Sequence, residues 1–340
     1  MTDSEFENLL QNLHIGNQKM DRQDIEIIET HISYLILLEQ DVYKLKKTVS
    51  LAFVDFSSLS ARQAACRQEL QLNRRLAPDV YRDVLEVKEE GGRVGIGLEK
   101  GATIDYTVWM RRVDNTLEMD RLLEQGQVSE SQVDTLALLI ADFHQGAKTV
   151  HKTWRAANLM DTYNQLSSFY KYAQSTLGQS YADIIEQSCQ VSDAFISKHI
   201  DELNQRSKAG YVRDLHGDLH SHNIFLTDPP VVFDCIEFDD DLRQIDILNE
   251  IAFFLMDLEY YKADKLADFF LKCYTTHIQD SDLRYCMDDQ LLLYYKMYRA
   301  SVRAKVLMIN AQNTPRDKEA HLEEVRRYLE LVANYMSQKS

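Results

Sequence analysis

The segment "HGDLHSHN" (216–223) packs His216, Asp218, His220, His222 and Asn223 into eight residues. Imidazole and carboxylate groups that alternate in this way are transition-metal donors, and on an extended strand all four alternating positions share one face. Histidines in such a loop also serve simply to satisfy buried polar groups. The residues downstream point to a second chemistry. Asn223 lies five residues after Asp218, and Asp234 lies eleven after Asn223, at the end of a short strand–turn–strand pattern. Phosphoryl transfer from a nucleotide needs one carboxylate to accept the proton of the attacking hydroxyl. It also needs an amide oxygen and a second carboxylate to hold Mg2+ on the phosphates. Hard oxygen donors suit Mg2+, which keeps most of its waters. The spacing D-x4-N, then a hairpin ending in D, supplies those three groups.

The elements that carry these residues can be read from periodicity and punctuation. "HISYLILL" (31–38) and "VYKLKK" (42–47), separated by "EQD", read as an antiparallel hairpin. A helix is expected over 59–78, with Ser60 as N-cap and Pro78 just past its end. "VLEVKEEGGRVGIGL" and "IDYTVWMRRV" read as strands, with Gly91 and Gly92 in the turn. From about residue 115 the pattern becomes helical, and Val133, Leu136, Ile140 and Phe143 fall on one face. "HNIFL", "TDPP" and "VVFD" form a strand–turn–strand unit, followed by helical stretches at 242–275, 282–311 and 316–338. All eleven glycines lie at or before Gly217. A strand-and-turn first part and a helix-dominated second part are therefore expected.

Composition narrows the function classes. The chain has 340 residues, 45% of them apolar and 27% charged, as in a globular protein with about two domains or lobes. No apolar run approaches the ~18 residues of a membrane span. The acidic start "MTDSEFENLL" lacks the features of a signal peptide. Five widely spaced cysteines without a CxxC pair suggest free thiols in a reducing compartment, so a cytoplasmic protein is expected. A net charge of −16 without a basic stripe argues against nucleic acid as a partner.

"HGDLHSHN", followed by "VVFDCIEF" and "RQIDILNEIAFF", resembles the aminoglycoside phosphotransferase-like family of small-molecule kinases. "THISYLILLEQDVYKLKK", "ELQLNRRLAPDVY", "MRRV", "FDCIEF" and "NEIAFFLMDLE" extend the likeness to one bacterial branch of it, over most of residues 25–310. The resemblance implies an α+β, protein-kinase-like bilobal fold: a small antiparallel-sheet N-lobe over 1–110 and a larger helical C-lobe over 111–340. It implies a catalytic loop at 216–223 and a metal-binding segment at 234–237. By that likeness Asp218 is the catalytic base, Asn223 and Asp234 ligate Mg2+, and Glu237 adds to the outer shell of the metal. His216 is the structural histidine of the loop, and Asp246 braces the loop backbone. Lys44 contacts the phosphates of ATP or GTP with Glu69 as its ion-pair partner, and Met110–Arg111 forms the hinge that meets the base.

On a strand Lys44 and Lys46 point the same way, so the residues alone leave either as the phosphate contact. Both are also consistent with solvated lysines blunting a sheet edge. Three departures from the kinase pattern stand out. No glycine lies between Gly16 and Gly91, so the turn at "EQD" is expected to cover the phosphates in place of a Gly-rich loop. "GGRVGIGLEKGA" has Lys100 where GxGxxG needs its third glycine, and reads as a hairpin turn. Gly217 replaces the arginine that precedes the catalytic aspartate in many protein kinases, and no room remains for a long activation segment. Relatives in the branch often carry a P-loop kinase domain, but no GxxxxGK[ST] occurs here, so a stand-alone unit is expected.

The reading is a Mg2+-dependent phosphotransferase acting on a small hydroxylated substrate, with neither nucleic acid nor membrane as partner. Two alternatives accompany it: a catalytically silent nucleotide-binding regulator, and a metal-dependent hydrolase built on His216, His220 and His222. The sequence fixes neither the acceptor, nor ATP against GTP, nor the oligomeric state.

Overall fold

The computed structural model describes residues 1–16, 18–51 and 54–338. Packing groups the chain into two compact units, Met1–Met119 with Asn223–Arg243, and Asp120–His222 with Gln244–Ser340. In chain order the first unit holds α1 (Asp3–Gln11), β1 (His14–Ile15), β2 (Gln18–Lys19), β3 (Glu26–Glu29), β4 (Ser33–Leu37) and β5 (Asp41–Lys46). The short pair β6 (Ser50–Leu51) and β7 (Val54–Asp55) leads to α2 (Leu59–Asn73), β8 (Tyr81–Glu90), β9 (Arg93–Ile96) and β10 (Ala102–Arg111). Helices α3 (Met119–Glu124), α4 (Glu130–Gly146), α5 (Ala156–Asn164), α6 (Tyr170–Thr176) and α7 (Gln179–Lys208) follow, then β11 (Val212–Asp214). The strands β12 (Ile224–Phe225) and β13 (Val231–Val232) and the single turn α8 (Asp240–Arg243) belong to the first unit again. Last come β14 (Gln244–Asp246), α9 (Ile247–Tyr260), α10 (Asp264–His277), α11 (Asp289–Asn313) and α12 (Lys318–Ser337).

The sheet order of the first unit is β2-β1-β9-β8-β10-β5-β4-β3, antiparallel except where β1 meets β9. The expected hairpin is β4–β5, registered Leu35↔Lys44 and Leu37↔Val42. Strand alternation sorts its side chains onto two cores. Tyr34, Ile36, Tyr43 and Leu45 pack with Phe6, Leu9 and Leu10 of α1. Leu35, Leu37 and Val42 face the other way, with Cys66 of α2, Val108 and Met110. Lys44 and Lys46 share the alternation of Val42, and β5 lies inside the sheet between β10 and β4. They do not blunt an edge.

Helix α2 is shorter than the sequence suggested. Ser58, not Ser60, caps it by accepting the N–H of Ala61, and it ends at Asn73. Its buried stripe at helical spacing is Arg62, Cys66, Glu69 and Asn73, three of them polar. The 223–243 segment joins this unit because Phe225, Val231 and Phe233 complete the core around Val42 and Met110.

In the second unit α4 opens on a capping box between Ser129 and Gln132 and buries Val133, Leu136 and Ile140. Residues Ile247 to Leu258 of α9 are all buried, as befits a helix apolar nearly all round. Among the described residues no helix is long and apolar enough to cross a membrane.

Candidate active site

The first unit assembles a buried ladder of lysines and carboxylates. Lys44 Nζ lies 2.8 Å from Glu69 Oε1 and 2.7 Å from Asp234 Oδ1. Lys46 Nζ lies 2.6 Å from Glu69 Oε2 and 2.5 Å from Glu237 Oε1. Glu69 is fully buried and divides its two oxygens between the two ammonium groups. Burial alone would push its carboxyl up, but Lys44 and Lys46 overrule that and hold it well below the usual range. Burial likewise works against both ammonium groups. Asp234 and Glu69 still hold Lys44 charged, as Glu237 and Glu69 hold Lys46.

The segment carrying Asp234 is clamped at three points. The β12–β13 register, Ile224↔Val232, continues into a bond from Phe233 N–H to the Asn223 carbonyl at 3.0 Å, one residue before Asp234. The N–H of Asp234 donates to the hydroxyl of the buried Tyr81 at 3.3 Å. The N–H of Cys235 donates to Asn73 Oδ1 at 2.8 Å, tying the segment to the end of α2. Asp234 has φ +61, left-handed backbone that a non-glycine residue adopts only when its surroundings hold it there. The structure thus brings Lys44, Glu69 and Asp234 together and sets Asn223 at the end of a 3-10 turn just before β12, its carbonyl bonded to the N–H of Phe233. Met110, one residue before the end of β10, lies between Val42 and Tyr81, in the apolar core with Phe225. Glu237 is engaged by Lys46.

The turn expected to cover phosphates lies at the Val42 end of its hairpin. There Arg112 N–H donates to the Gln40 carbonyl at 2.8 Å, and Arg112 Nη1 donates to the Leu38 carbonyl at 3.0 Å. The turn at 30–32 sits at the opposite end, where Ser33 pairs with Lys46 and Lys47 N–H donates to the Ile32 carbonyl.

The second unit holds Asp218 in a loop braced from beneath. Glu250 is fully buried and accepts the N–H groups of His216, at 3.0 Å, and Gly217, at 2.6 Å. Its other oxygen meets His144 Nε2 at 3.1 Å, and His144 Nδ1 meets the Tyr274 hydroxyl at 2.8 Å. Arg299 donates to the Gly217 carbonyl at 3.1 Å and to Asn249 Oδ1 at 2.6 Å. Gly217 has φ +86, a conformation that an arginine side chain would strain. Asp246, the expected brace, instead forms a two-pronged pair with Arg206 and caps α9 through Leu248 N–H. The bracing carboxylate stands one helical turn later. Only its position on α9, four residues past the cap, could have signalled it in the sequence.

About a third of the Asp218 side chain is exposed (35%), and its Oδ2 lies 3.3 Å from His220 Nε2. Burial would raise this carboxyl, but His220, Arg303 and His216 together hold it far below the usual carboxylate range. Asp218 is therefore ionised throughout the physiological range.

The three histidines do not converge. His216 Nδ1 accepts Asp218 N–H at 3.3 Å, and His220 meets Asp218. His222 meets Asp120 at 2.9 Å and the Tyr261 hydroxyl at 3.3 Å. Among the described residues no group of three or more His, Cys, Asp or Glu side chains forms a metal site. The alternating pattern fails because the segment is a loop ending in a 3-10 turn at Ser221–Asn223, not a strand.

Comparison with known proteins places this geometry in a family. A protein of Mycobacterium tuberculosis (strain ATCC 25618 / H37Rv), described as uncharacterized, is 30% identical over 295 residues, covering 84% of this chain and 55% of its own length. A protein of Mycobacterium bovis (strain ATCC BAA-935 / AF2122/97), described in the same way, matches to the same extent. The chain spans about half the length of these curated relatives. Among solved structures, glucosamine kinase in complex with glucosamine, ADP and inorganic phosphate is similar with a TM-score of 0.50 at 14% identity, covering 93% of this chain and 80% of that one. That likeness is one of fold, protein-kinase-like and α+β. The sequence profile of the phosphotransferase enzyme family matches residues 37–274, and the chain belongs to that family.

Proposed function

We propose that the protein is a Mg2+-dependent small-molecule kinase that moves the γ-phosphoryl group of ATP or GTP to a hydroxyl group. The observation that carries the reading is the position of Lys44 Nζ, within 2.8 Å of both Glu69 and Asp234. A buried ammonium fixed by a helix carboxylate suits recognition of phosphate oxygens. Lys44 retains some exposure (13%) whereas Lys46 has none, so Lys44 is the phosphate contact. Asn223 and Asp234 offer an amide oxygen and a carboxylate, a hard donor set that fits Mg2+. When bound, that ion neutralises charge on the phosphates.

The chain's own groups take the remaining roles. The base packs on the apolar face of Leu35, Val42, Met110, Phe225 and Phe233. The N–H groups of Arg111 and Arg112 are bonded to the Val80 and Gln40 carbonyls, and the Arg111 carbonyl and Val113 N–H read its edge. The 30–32 turn, at the Lys46 end of its hairpin, covers the phosphates. Asp218 accepts the hydrogen bond of the acceptor hydroxyl and orients its oxygen toward the γ-phosphorus. As that O–P bond forms and the bond to the β-phosphate bridge breaks, the hydroxyl proton passes to Asp218 and the nucleoside diphosphate leaves. A carboxylate held this far down acts first as an orienting acceptor and takes the proton late.

The test is nucleoside diphosphate release across a panel of hydroxyl compounds, with native protein and Asp218→Asn. Acceptor-dependent release that falls ~100-fold or more in the variant supports the reading. Nucleotide binding without acceptor-dependent release would favour a silent regulator.

A further inference from the structure

We propose that Lys46 and Glu237 are positioning residues for the phosphate lysine, holding Glu69 and the 234–237 segment so that Lys44 keeps one oxygen of Glu69 and stays set against Asp234. The proposal rests on the kinase reading above and adds two residues which that reading leaves idle.

Three features carry it. First, Lys46 is fully buried, between two carboxylates at 2.6 and 2.5 Å and with its ammonium 5.5 Å from the centre of the Phe56 ring. A group so enclosed meets no soluble ligand, yet it touches the same carboxylate as Lys44. Second, Glu69 has only two oxygens, and Lys46 occupies Oε2. Lys44 is thereby limited to Oε1 and keeps donors for Asp234 and for phosphate. Third, the Glu69–Lys46–Glu237 bridge links α2 to the segment that presents Asp234, in parallel with the bond from Cys235 N–H to Asn73. Helix, strand and metal segment are joined through one ammonium.

The charge balance shows what losing that ammonium does. Two lysines face three carboxylates (Glu69, Glu237 and Asp234), so the group carries one net negative charge. Without Lys46 all three carboxylates compete for Lys44, which is drawn toward Glu69 and Glu237 and away from phosphate. Without the charge of Glu237, Lys46 has Glu69 as its one carboxylate and draws it from Lys44, which is left to Asp234. A buried ion pair often contributes little net stability compared with apolar groups of the same size. A role in geometry accounts for this one better than a role in stability.

The test is calorimetric titration of Mg-ATP and Mg-GTP into the native protein, Glu237→Gln and the double variant Lys46→Met/Glu237→Leu, with thermal unfolding of each ligand-free protein as a second readout. Glu237→Gln keeps the shape and one acceptor for Lys46, and its nucleotide affinity is expected to fall about five-fold. The double variant replaces the pair by apolar groups, and is expected to melt close to the native protein while binding nucleotide ~10-fold more weakly. Native affinity in Glu237→Gln overturns the positioning role, whatever the double variant does. Native affinity in a folded double variant overturns it as well. If the native protein binds neither nucleotide, the kinase reading itself fails, and the proposal with it.

Discussion

The two units hold their candidate functional groups by different physics. In the first unit, charges are held by charges: Lys44, Lys46, Glu69, Asp234 and Glu237 fix one another, and most of them are dry. In the second unit a backbone is held by side chains: Glu250 and Arg299 grip the peptide groups next to Asp218, whose own carboxylate stays partly exposed. Under the proposed function the difference follows the task of each unit. Groups that recognise phosphate must keep their charges in place before the ligand arrives, because rearranging buried charge is costly. A group that takes a proton needs a fixed direction and an open face, and a braced loop supplies both.

That contrast can be broken at either half. Removing Glu69 has the largest expected effect, since Glu69→Ala leaves two buried ammonium groups short of a carboxylate. A loss of ~3–5 kcal/mol in urea unfolding is expected, together with loss of nucleotide binding. An effect below about 1 kcal/mol would mean that the ladder does not hold the unit together.

The same carboxylate sets an acid limit. Its folded value lies below its ordinary value of 4.5, so its contribution is complete above that pH and drains away as pH falls through the lowered value. Native unfolding free energy should therefore decline below about pH 4.5, and Glu69→Gln should flatten that decline. An equally steep acid limb in the variant would assign it to other carboxyls.

Glu250→Gln probes the second half. Weakening the hold on two backbone N–H groups and His144 should cost about 2–3 kcal/mol, and should lower turnover while leaving nucleotide affinity at the native level. Equal losses in affinity and turnover would erase the distinction between the halves. Gly217→Ala, at φ +86, should cost about 1–2 kcal/mol by thermal unfolding, with no effect on nucleotide binding. The smallest effect on stability is expected of Asp218→Asn, a change within about 1 kcal/mol beside the large loss of turnover that the proposed function predicts. A larger change would make Asp218 a structural residue.

Much of this was legible in the sequence where local patterns decide. Alternation across 31–47 gave the hairpin and put Lys44 and Lys46 on one side, and D-x4-N with Asp234 gave the order of groups on which the proposed function rests. What stayed hidden depends on tertiary neighbours. The buried stripe of α2 is polar, so no hydrophobic period marks Glu69 as a core residue. Which lysine keeps some exposure depends on Glu237, a residue 191 positions away from Lys46 in the chain. Asp246 and Glu250 stand a turn apart on one helix, and only the fold shows that Arg206 claims the first and the loop the second. The histidine alternation misleads because a left-handed Gly217 and a 3-10 turn break the strand it assumes.

The most direct test of the central claim is thermal unfolding with ATP, GTP or neither, with and without Mg2+, on native protein, Asp234→Asn and Asp218→Asn. Nucleotide at 100 times its dissociation constant stabilises by ~2.7 kcal/mol, a shift of about 4 °C for a chain of this length. The account expects that shift with Mg2+ and one nucleotide, lost in Asp234→Asn and kept in Asp218→Asn. No shift with either nucleotide at millimolar concentration, or a shift that Asp234→Asn leaves intact, would contradict it.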